Sequence, residues 1–487
     1  MGALRLAATF AAALLLSGCA GRYFEAASDP APTPRYALAD LPQKEIWTGV
    51  IFNGNKIGFS RLKVEALPDS SRYRLETESS IRIRLLGFDK RVLLRSSDVV
   101  REDLSLVSFR SDYLIDGSEL KLVGEANPGE LRVTIDSGSS RSVQKLPIVG
   151  KVYPASALAL LPVVEGLRIG ARYTLNVYNG EVQRLSEAVQ TVEAWETSKL
   201  FEGPAFKVTT DMLGLSSTSW IDVKGRPLLE LGLNGVLISA LEDESHARSY
   251  LAAAAVNQDD VLVEWSLVKP QAPISAPRSV KHLSIALSGP AVKAPVSDAR
   301  QRCRASGSRW MCEIDANNGE ASAEVPPRYL GSSITVRPKD PAIAALARQV
   351  APPALPPADK IQAILAWMGQ NIRKEAADVF SARDVLDQRR AECQGHSYLY
   401  ASLARAARMP TRIVNGLVYS EEHGGFLYHT WAETLVDGRW RAVDPTFGQS
   451  EADATHVALL EGEESADLLP ITEWVGNTRI EVLSAGR

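Results

Sequence analysis

Between Trp47 and Trp265, short runs in which apolar and polar residues alternate follow one another, and this two-residue period is the tightest constraint on the fold. Examples are Ile81 to Leu86, ELRVTID at Glu130 to Asp136, YTLNVYN at Tyr173 to Asn179 and FKVTTDM at Phe206 to Met212. Successive side chains of a strand point to opposite faces, so alternation marks half-buried antiparallel strands. Asn53-Gly54, Asp116-Gly117 and Asn179-Gly180 fit two-residue hairpin turns. One helical patch, Ala155 to Val164, interrupts the series, and a large sheet with a helix or two against it is expected.

The period changes further along. KPQAPISAPRS, 269 to 279, reads as a boundary, followed by a short β unit over roughly 280 to 338. From Asp340 the helical period dominates: Ile361, Ile364, Leu365, Met368 and Ile372 share one face. The expected organisation is an α+β multidomain chain: a β-rich domain over 45–268, a linker and small β module over 269–339, and an α+β domain over 340–487. The 54 Lys+Arg nearly balance the 58 Asp+Glu, and the 7% aromatic residues do not interleave with basic ones, so a nucleic-acid partner is disfavoured.

The N-terminus carries Arg5, then an apolar stretch from Leu6 to Leu16, then small residues: a signal peptide over 1–18, too short for a permanent span. Leu16-Ser17-Gly18-Cys19 resembles the lipobox of bacterial lipoproteins, which implies that Cys19 is acylated and leads the mature chain. The alternative is an ordinary cleaved signal with an incidental Cys. Residues 19–44, with DPAPTPR, then form a lipidated tether. Ala20, rather than Asp, implies the outer membrane, facing the periplasm, if the source is Gram-negative.

An exported chain can form disulfides. Cys303 and Cys312 flank the turn-like segment Ala305 to Ser308 and can face each other across a hairpin, the alternative being two free buried thiols. No zinc spacing accompanies them, no calcium-loop spacing of carboxylates stands out, and no cofactor is expected. Cys393 is left as an unpaired thiol in an oxidising compartment.

Four of the six His (His396, His423, His429 and His456) lie in the last hundred residues, near that thiol. AECQGHSYLYASLARAARMP reads as a helix starting near Cys393 and running to about Arg408, with Leu399, Leu403 and Ala407 on one face. Unpaired N–H groups and aligned peptide dipoles at a helix start favour a thiolate and could receive an oxyanion. Two strand-like runs follow, then Asp437-Gly438, then RWRAVDPTFGQ. A two-residue turn there sets Val436 opposite Arg439, Trp431 opposite Asp444 and His429 opposite Thr446, making His429 and Asp444 diagonal neighbours on one face. Such a carboxylate orients the imidazole, whose other nitrogen can take a proton from a thiol. Each residue alone has a structural reading: a small buried hydrophobe, a hydrogen-bonding strand His, a turn Asp before Pro.

The run from Arg389 to Glu463, with ECQGH around Cys393, HTWAE from His429, WRAVDPT around Asp444 and DATH ending at His456, resembles the transglutaminase-like superfamily. The resemblance implies a papain-like or transglutaminase-like α+β fold, with Cys393 as nucleophile, His429 as base and Asp444 as orienter. The family often has Gly two residues before the Cys; here Ala391 stands there, and a different substrate groove beside Cys393 is expected. Two functions remain open: an enzyme acting on amide bonds of a protein or peptide through a thioester (transamidation, deamidation or proteolysis), or a non-catalytic surface-anchored binding or assembly protein with an inherited triad. Oligomeric state is left open.

Overall fold

The computed structural model describes residues 23–487 except 53, 69–70, 86–87, 116–117, 139–140, 233–236, 250–265, 290–293, 323–324, 376–378 and 469. The expected signal peptide, Cys19, and the turn residues Asn53 and Asp116-Gly117 lie outside the described residues. No helix among the described residues is long and apolar enough to cross a membrane.

The alternating runs form one sixteen-stranded sheet. It contains two antiparallel meanders, Glu45–Phe52 through Arg141–Pro147 and Arg172–Asn179 through Leu237–Glu242, joined by antiparallel pairing of Glu45–Phe52 with Leu237–Glu242. The chain between the meanders supplies the expected helical patch, as Ala155–Ala159 and Leu161–Glu165. Leu160, Leu161, Val163 and Val164 from this link pack with Leu75 and Val100 of one meander and with Val192, Phe206 and Val208 of the other, so both halves of the sheet bury their apolar face on the same segment. Alternation is obeyed residue by residue: in Glu130–Asp136, Leu131, Val133 and Ile135 are buried and the residues between them are more open.

One expected turn is corrected. Asn179-Gly180 does not make a two-residue hairpin: the strands end at Asn179 and resume at Arg184. The Asn179 side chain accepts hydrogen bonds from the N–H groups of Glu181 (2.9 Å) and Val182 (3.2 Å), an Asx turn that competes with the tight hairpin and needs more chain to close. Gln183 completes it at φ 53°.

In the C-terminal part, helices Pro341–Val350, Pro357–Asn371, Ala382–Gln388 and Cys393–Ala406 accompany a sheet in the order Arg439–Val443, Gly425–Val436, Thr411–Ser420, Val457–Glu461. The Asp340 side chain caps the first helix by accepting from the N–H groups of Ala342 and Ile343, and Pro341 holds the first helical position. Ile364, Leu399 and Leu403 are fully enclosed in this core, each burial contributing roughly 1.5–3 kcal/mol. The Cys393 helix is therefore anchored along its length by the face that the periodicity marks out.

Cys303 and Cys312 are disulfide-bonded across neighbouring strands Gln301–Ser306 and Arg309–Asp315. Their sheet is completed by His282–Ser288 and by Arg479–Gly486, which returns from the far end of the chain. Leu283, Ile285 and Cys312 share a core with Leu417, Phe426 and Val457. The module expected over 269–339 and the unit expected over 340–487 thus share a sheet and a core; a short β unit with one face apolar must bury that face on a neighbour. The large sheet meets this assembly where Phe380 and Ile334 pack on a cluster with Leu120, Leu122 and Tyr178, where Gln388 donates to Ser118 Oγ (3.0 Å), and where Arg184 pairs with Glu464 (2.8 Å).

Candidate active site

Cys393, half-buried and not disulfide-bonded, is the first residue of the helix Cys393–Ala406. Glu392 at the N-cap is extended and its side chain does not cap the helix. The preceding pair Arg390–Ala391 lies parallel to Arg373–Lys374 and fixes the direction in which the chain enters the helix. Ala391, which stands where the family often has glycine, is fully buried. A Cβ on Gly395 would come within 2.7 Å of the Ala391 methyl and 2.6 Å of Val379, so the close packing of the helix start on Ala391 requires glycine there.

His429 and Asp444 arrive on the expected hairpin. Val436 pairs with Arg439 and the ladder runs to Ala432 opposite Val443. Asp444 then leaves the ladder and bridges Gln449, its N–H donating to the Gln449 carbonyl (2.8 Å) and its own carbonyl accepting from the Gln449 N–H (2.9 Å). Trp431 opposite Asp444 and His429 opposite Thr446, both expected, are replaced by this tight loop, because Pro445 cannot donate to a ladder. The side chains still meet: His429 Nε2 lies 2.8 Å from Asp444 Oδ2. Asp444 Oδ1 accepts from the N–H groups of Thr446 (2.7 Å) and Phe447 (3.1 Å), which locks the carboxylate plane.

A second imidazole was not foreseen in this role. His456 Nε2 lies 2.9 Å from the same Asp444 Oδ2, and its Nδ1 is 3.1 Å from the Asp453 carbonyl oxygen. Asp453 accepts in turn from Arg278 (2.9 Å), Gln449 (3.0 Å) and the Thr455 N–H (2.9 Å). His456 reaches the site because Val457–Glu461 runs close beside Thr411–Ser420. A Cβ on Gly416 would sit 2.0 Å from the Val457 carbonyl, so that approach requires glycine. The only hint in the sequence was the DATH segment.

Asp444 and His456 are fully enclosed and His429 is nearly so. Burial works against the His429 imidazolium, but the Asp444 charge and hydrogen bond, followed by the hydrogen bond and charge of Cys393, outweigh it and raise the pKa to about 10. Burial would likewise raise Asp444, yet its two histidine partners hold the carboxyl well below the usual carboxylate range. His429, Asp444 and His456 each offer a metal-ligand atom, all within 4.8 Å of one another. Those atoms already serve one another, two imidazoles converging on one oxygen, so the donor set is internally satisfied and no step is assigned to a metal.

The ring of Phe447 lies on His429 (5.2 Å between centroids, 24° between planes). Arg278 and Lys374 stand over the same ring at 4.4 and 4.7 Å. Arg278 belongs to the segment read as a linker, which gave no sign of this. Burial lowers the Lys374 pKa, with Asp444 opposing that shift. Of the other clustered histidines, His396 is buried one turn beyond Cys393 with Nδ1 at 2.9 Å from the Glu392 carbonyl, and burial lowers its pKa; His423 meets Ser420 Oγ in a turn. Neither joins the Asp444 cluster.

Residues 344–445 match the family model of the transglutaminase-like superfamily, a span that contains Cys393, His429 and Asp444. The kyphoscoliosis peptidase of Mus musculus is 29% identical over 112 residues, covering 20% of this chain and 17% of that protein. The Homo sapiens protein of the same name is 26% identical over 110 residues, covering 20% and 16%. The alignments thus span less than a fifth of these curated relatives. Among solved structures, a candidate cysteine protease from Cytophaga hutchinsonii aligns at 14% identity over 43% of this chain and 85% of that one, with a TM-score of 0.28. A β-barrel-like protein of a domain of unknown function from Brucella abortus aligns at 9% identity over 41% and 95%, with a TM-score of 0.32. Neither superposition carries an argument about this fold.

The His429 shift predicts a pH signature in stability. A histidine whose folded pKa is raised from ~6.5 to about 10 stabilises the fold fully below ~6.5, and that contribution is lost as pH rises toward about 10. Urea unfolding midpoints of the native chain and of His429→Gln should differ most at pH ~6 and converge by pH ~10. A gap that holds or widens at high pH would contradict the ion pair.

Proposed function

We propose, from the transglutaminase-like domain at residues 344–445, that the chain is a cysteine enzyme acting on amide bonds of protein or peptide substrates through a thioester. Cys393 is its nucleophile, His429 its base and Asp444 the carboxylate that orients the base. The observation that carries this reading is the buried 2.8 Å contact from His429 Nε2 to Asp444 Oδ2, which leaves Nδ1 as the nitrogen available to the thiol.

In this mechanism His429, whose raised pKa keeps it an imidazolium at neutral pH, already carries the thiol proton on Nδ1 when sulfur attacks the amide carbon. The tetrahedral oxyanion is met by N–H groups at the start of the Cys393 helix, which no capping side chain covers. Collapse breaks the C–N bond, and His429 returns the proton to the departing amine. Water, or a second amine, then attacks the thioester with the now neutral His429 taking its proton, and the pair of sulfur and imidazolium is restored as the carboxylic acid or new amide leaves. Asp444 stays ionised throughout and stabilises the imidazolium.

p-Nitrophenyl acetate, an acyl donor that needs little recognition, tests the assignment. The native chain should form a thioester on Cys393 and turn over to acetate, or to N-methylacetamide when methylamine is supplied; Cys393→Ala should do neither. Asp444→Asn should stay folded and lose activity by up to ~10⁴-fold, the scale seen when the orienting Asp of a triad is replaced. Thioester forming as fast in His429→Ala and Asp444→Asn as in the native chain would refute the triad.

The anchoring proposal rests on Leu16-Ser17-Gly18-Cys19, and the Cys303–Cys312 disulfide supports an oxidising compartment. A diacylglyceryl group and an N-acyl chain on Cys19, at ~0.8 kcal/mol per buried CH₂, suffice for stable attachment, in a Gram-negative host at the outer membrane facing the periplasm. Mature protein should partition into detergent and Cys19→Ser should not; equal partitioning would remove the lipid from the account.

A further inference from the structure

Where the large sheet meets the Cys393 helix, a recess of about 450 Å³ opens. Leu94, Tyr113 and Ile115 form its sheet side, Phe380 and Gln394 its helical side, and Glu181 projects from the Asx turn after Asn179. Gln394, the residue after Cys393, lines the recess, as does Tyr398 one turn further along the same helix. A second space of about 250 Å³ continues inward, sharing Leu94, Tyr113 and Glu181 and reaching Asp98 and Tyr178. The outer space is in the size range of sites that take a small ligand, roughly 300–1,000 Å³.

The polar groups of this recess form an unbalanced set. No Lys or Arg is among the described residues that line either space. Glu464 at the rim is neutralised by Arg184 (2.8 Å), and Asp98 is held by Ser156 (2.6 Å). Glu181 is open to solvent yet ringed by protein, and burial alone, with no cation opposing it, raises its pKa. Gln183 Oε1 and Tyr178 Oη, on residues only 9% and 3% exposed, have no hydrogen-bond partner among the described residues. Buried polar atoms are normally satisfied; here the Gln183 amide oxygen faces the outer space and the Tyr178 phenol the inner one, and the exposed Glu181 carboxylate borders both, between aliphatic and aromatic walls. An alkylammonium supplies what is missing, three N–H donors and no acceptor at the end of an apolar stem.

We propose that this recess is a substrate subsite for a lysine-type side chain, its stem against Leu94, Ile115 and Phe380 and its ammonium on Glu181 and Gln183, in a peptide whose reacting amide lies at Cys393. The amine is a recognition handle, not the attacking group. The subsite builds on the reading of Cys393 as the reacting centre, but its binding can be measured without any chemistry.

Calorimetry on the full chain carrying Cys393→Ala, with acetyl-Ala-Ala-Lys-Ala-Ala-amide and its norleucine counterpart as probes, makes that test. The lysine peptide should bind at least tenfold more tightly. Glu181→Gln should reduce the difference to less than twofold and leave norleucine binding unchanged. Gln183→Lys, which supplies an ammonium inside the recess, should abolish the preference by a second route if Glu181→Gln does not fold. Equal affinities for the two peptides, no binding of either at millimolar concentration, or a preference surviving both substitutions would overturn the subsite. Catalytic failure in the thioester assay with the lysine preference intact would instead refute the triad alone.

Discussion

A single carboxylate oxygen, Asp444 Oδ2, receives two buried imidazoles, and much of the C-terminal architecture exists to make that possible. An ionised carboxylate without partners in such a setting costs several kcal/mol. Asp444 avoids this with four donors from three directions: His429 on its own hairpin, His456 on a strand that approaches only because residue 416 is glycine, and two N–H groups of the loop closed by Gln449. Removing any one would leave the carboxylate less well compensated, so the turn, the hairpin and the far strand are energetically coupled.

The same arrangement gives His429 its chemistry. With Nε2 committed to Asp444, the ring cannot turn to present the wrong nitrogen, and Phe447 restrains its plane. Arg278 and Lys374 both stand against the Phe447 ring and bring positive charge close to the site. The recess beside the large sheet offers Glu181 and, among the described residues that line it, no cation.

How much of this was legible in the sequence follows from how local each feature is. The period of two in the first half and the Asp437-Gly438 turn each fix structure within a dozen residues, so strand faces and the meeting of His429 with Asp444 could be read directly. The Cys393 helix was legible for the same reason, its apolar face repeating over four turns. His456 was not, because it arrives through pairing between strands separated by a hairpin and a loop. Arg278 was read as linker, and Arg479–Gly486 was assigned to a different unit from the strand it pairs with. The Asn179-Gly180 turn failed for a local reason: the Asn side chain bonded the backbone beyond it, and the longer loop that resulted is what carries Glu181 to the recess.

The central claim, that Asp444 and His429 exist to activate Cys393, is tested most directly by the rate at which iodoacetamide labels Cys393 at pH 7. The account predicts that His429→Ala and Asp444→Asn each slow labelling at least tenfold while both variants remain folded. Labelling at the native rate in both variants would contradict it and leave the buried cluster as a structural device.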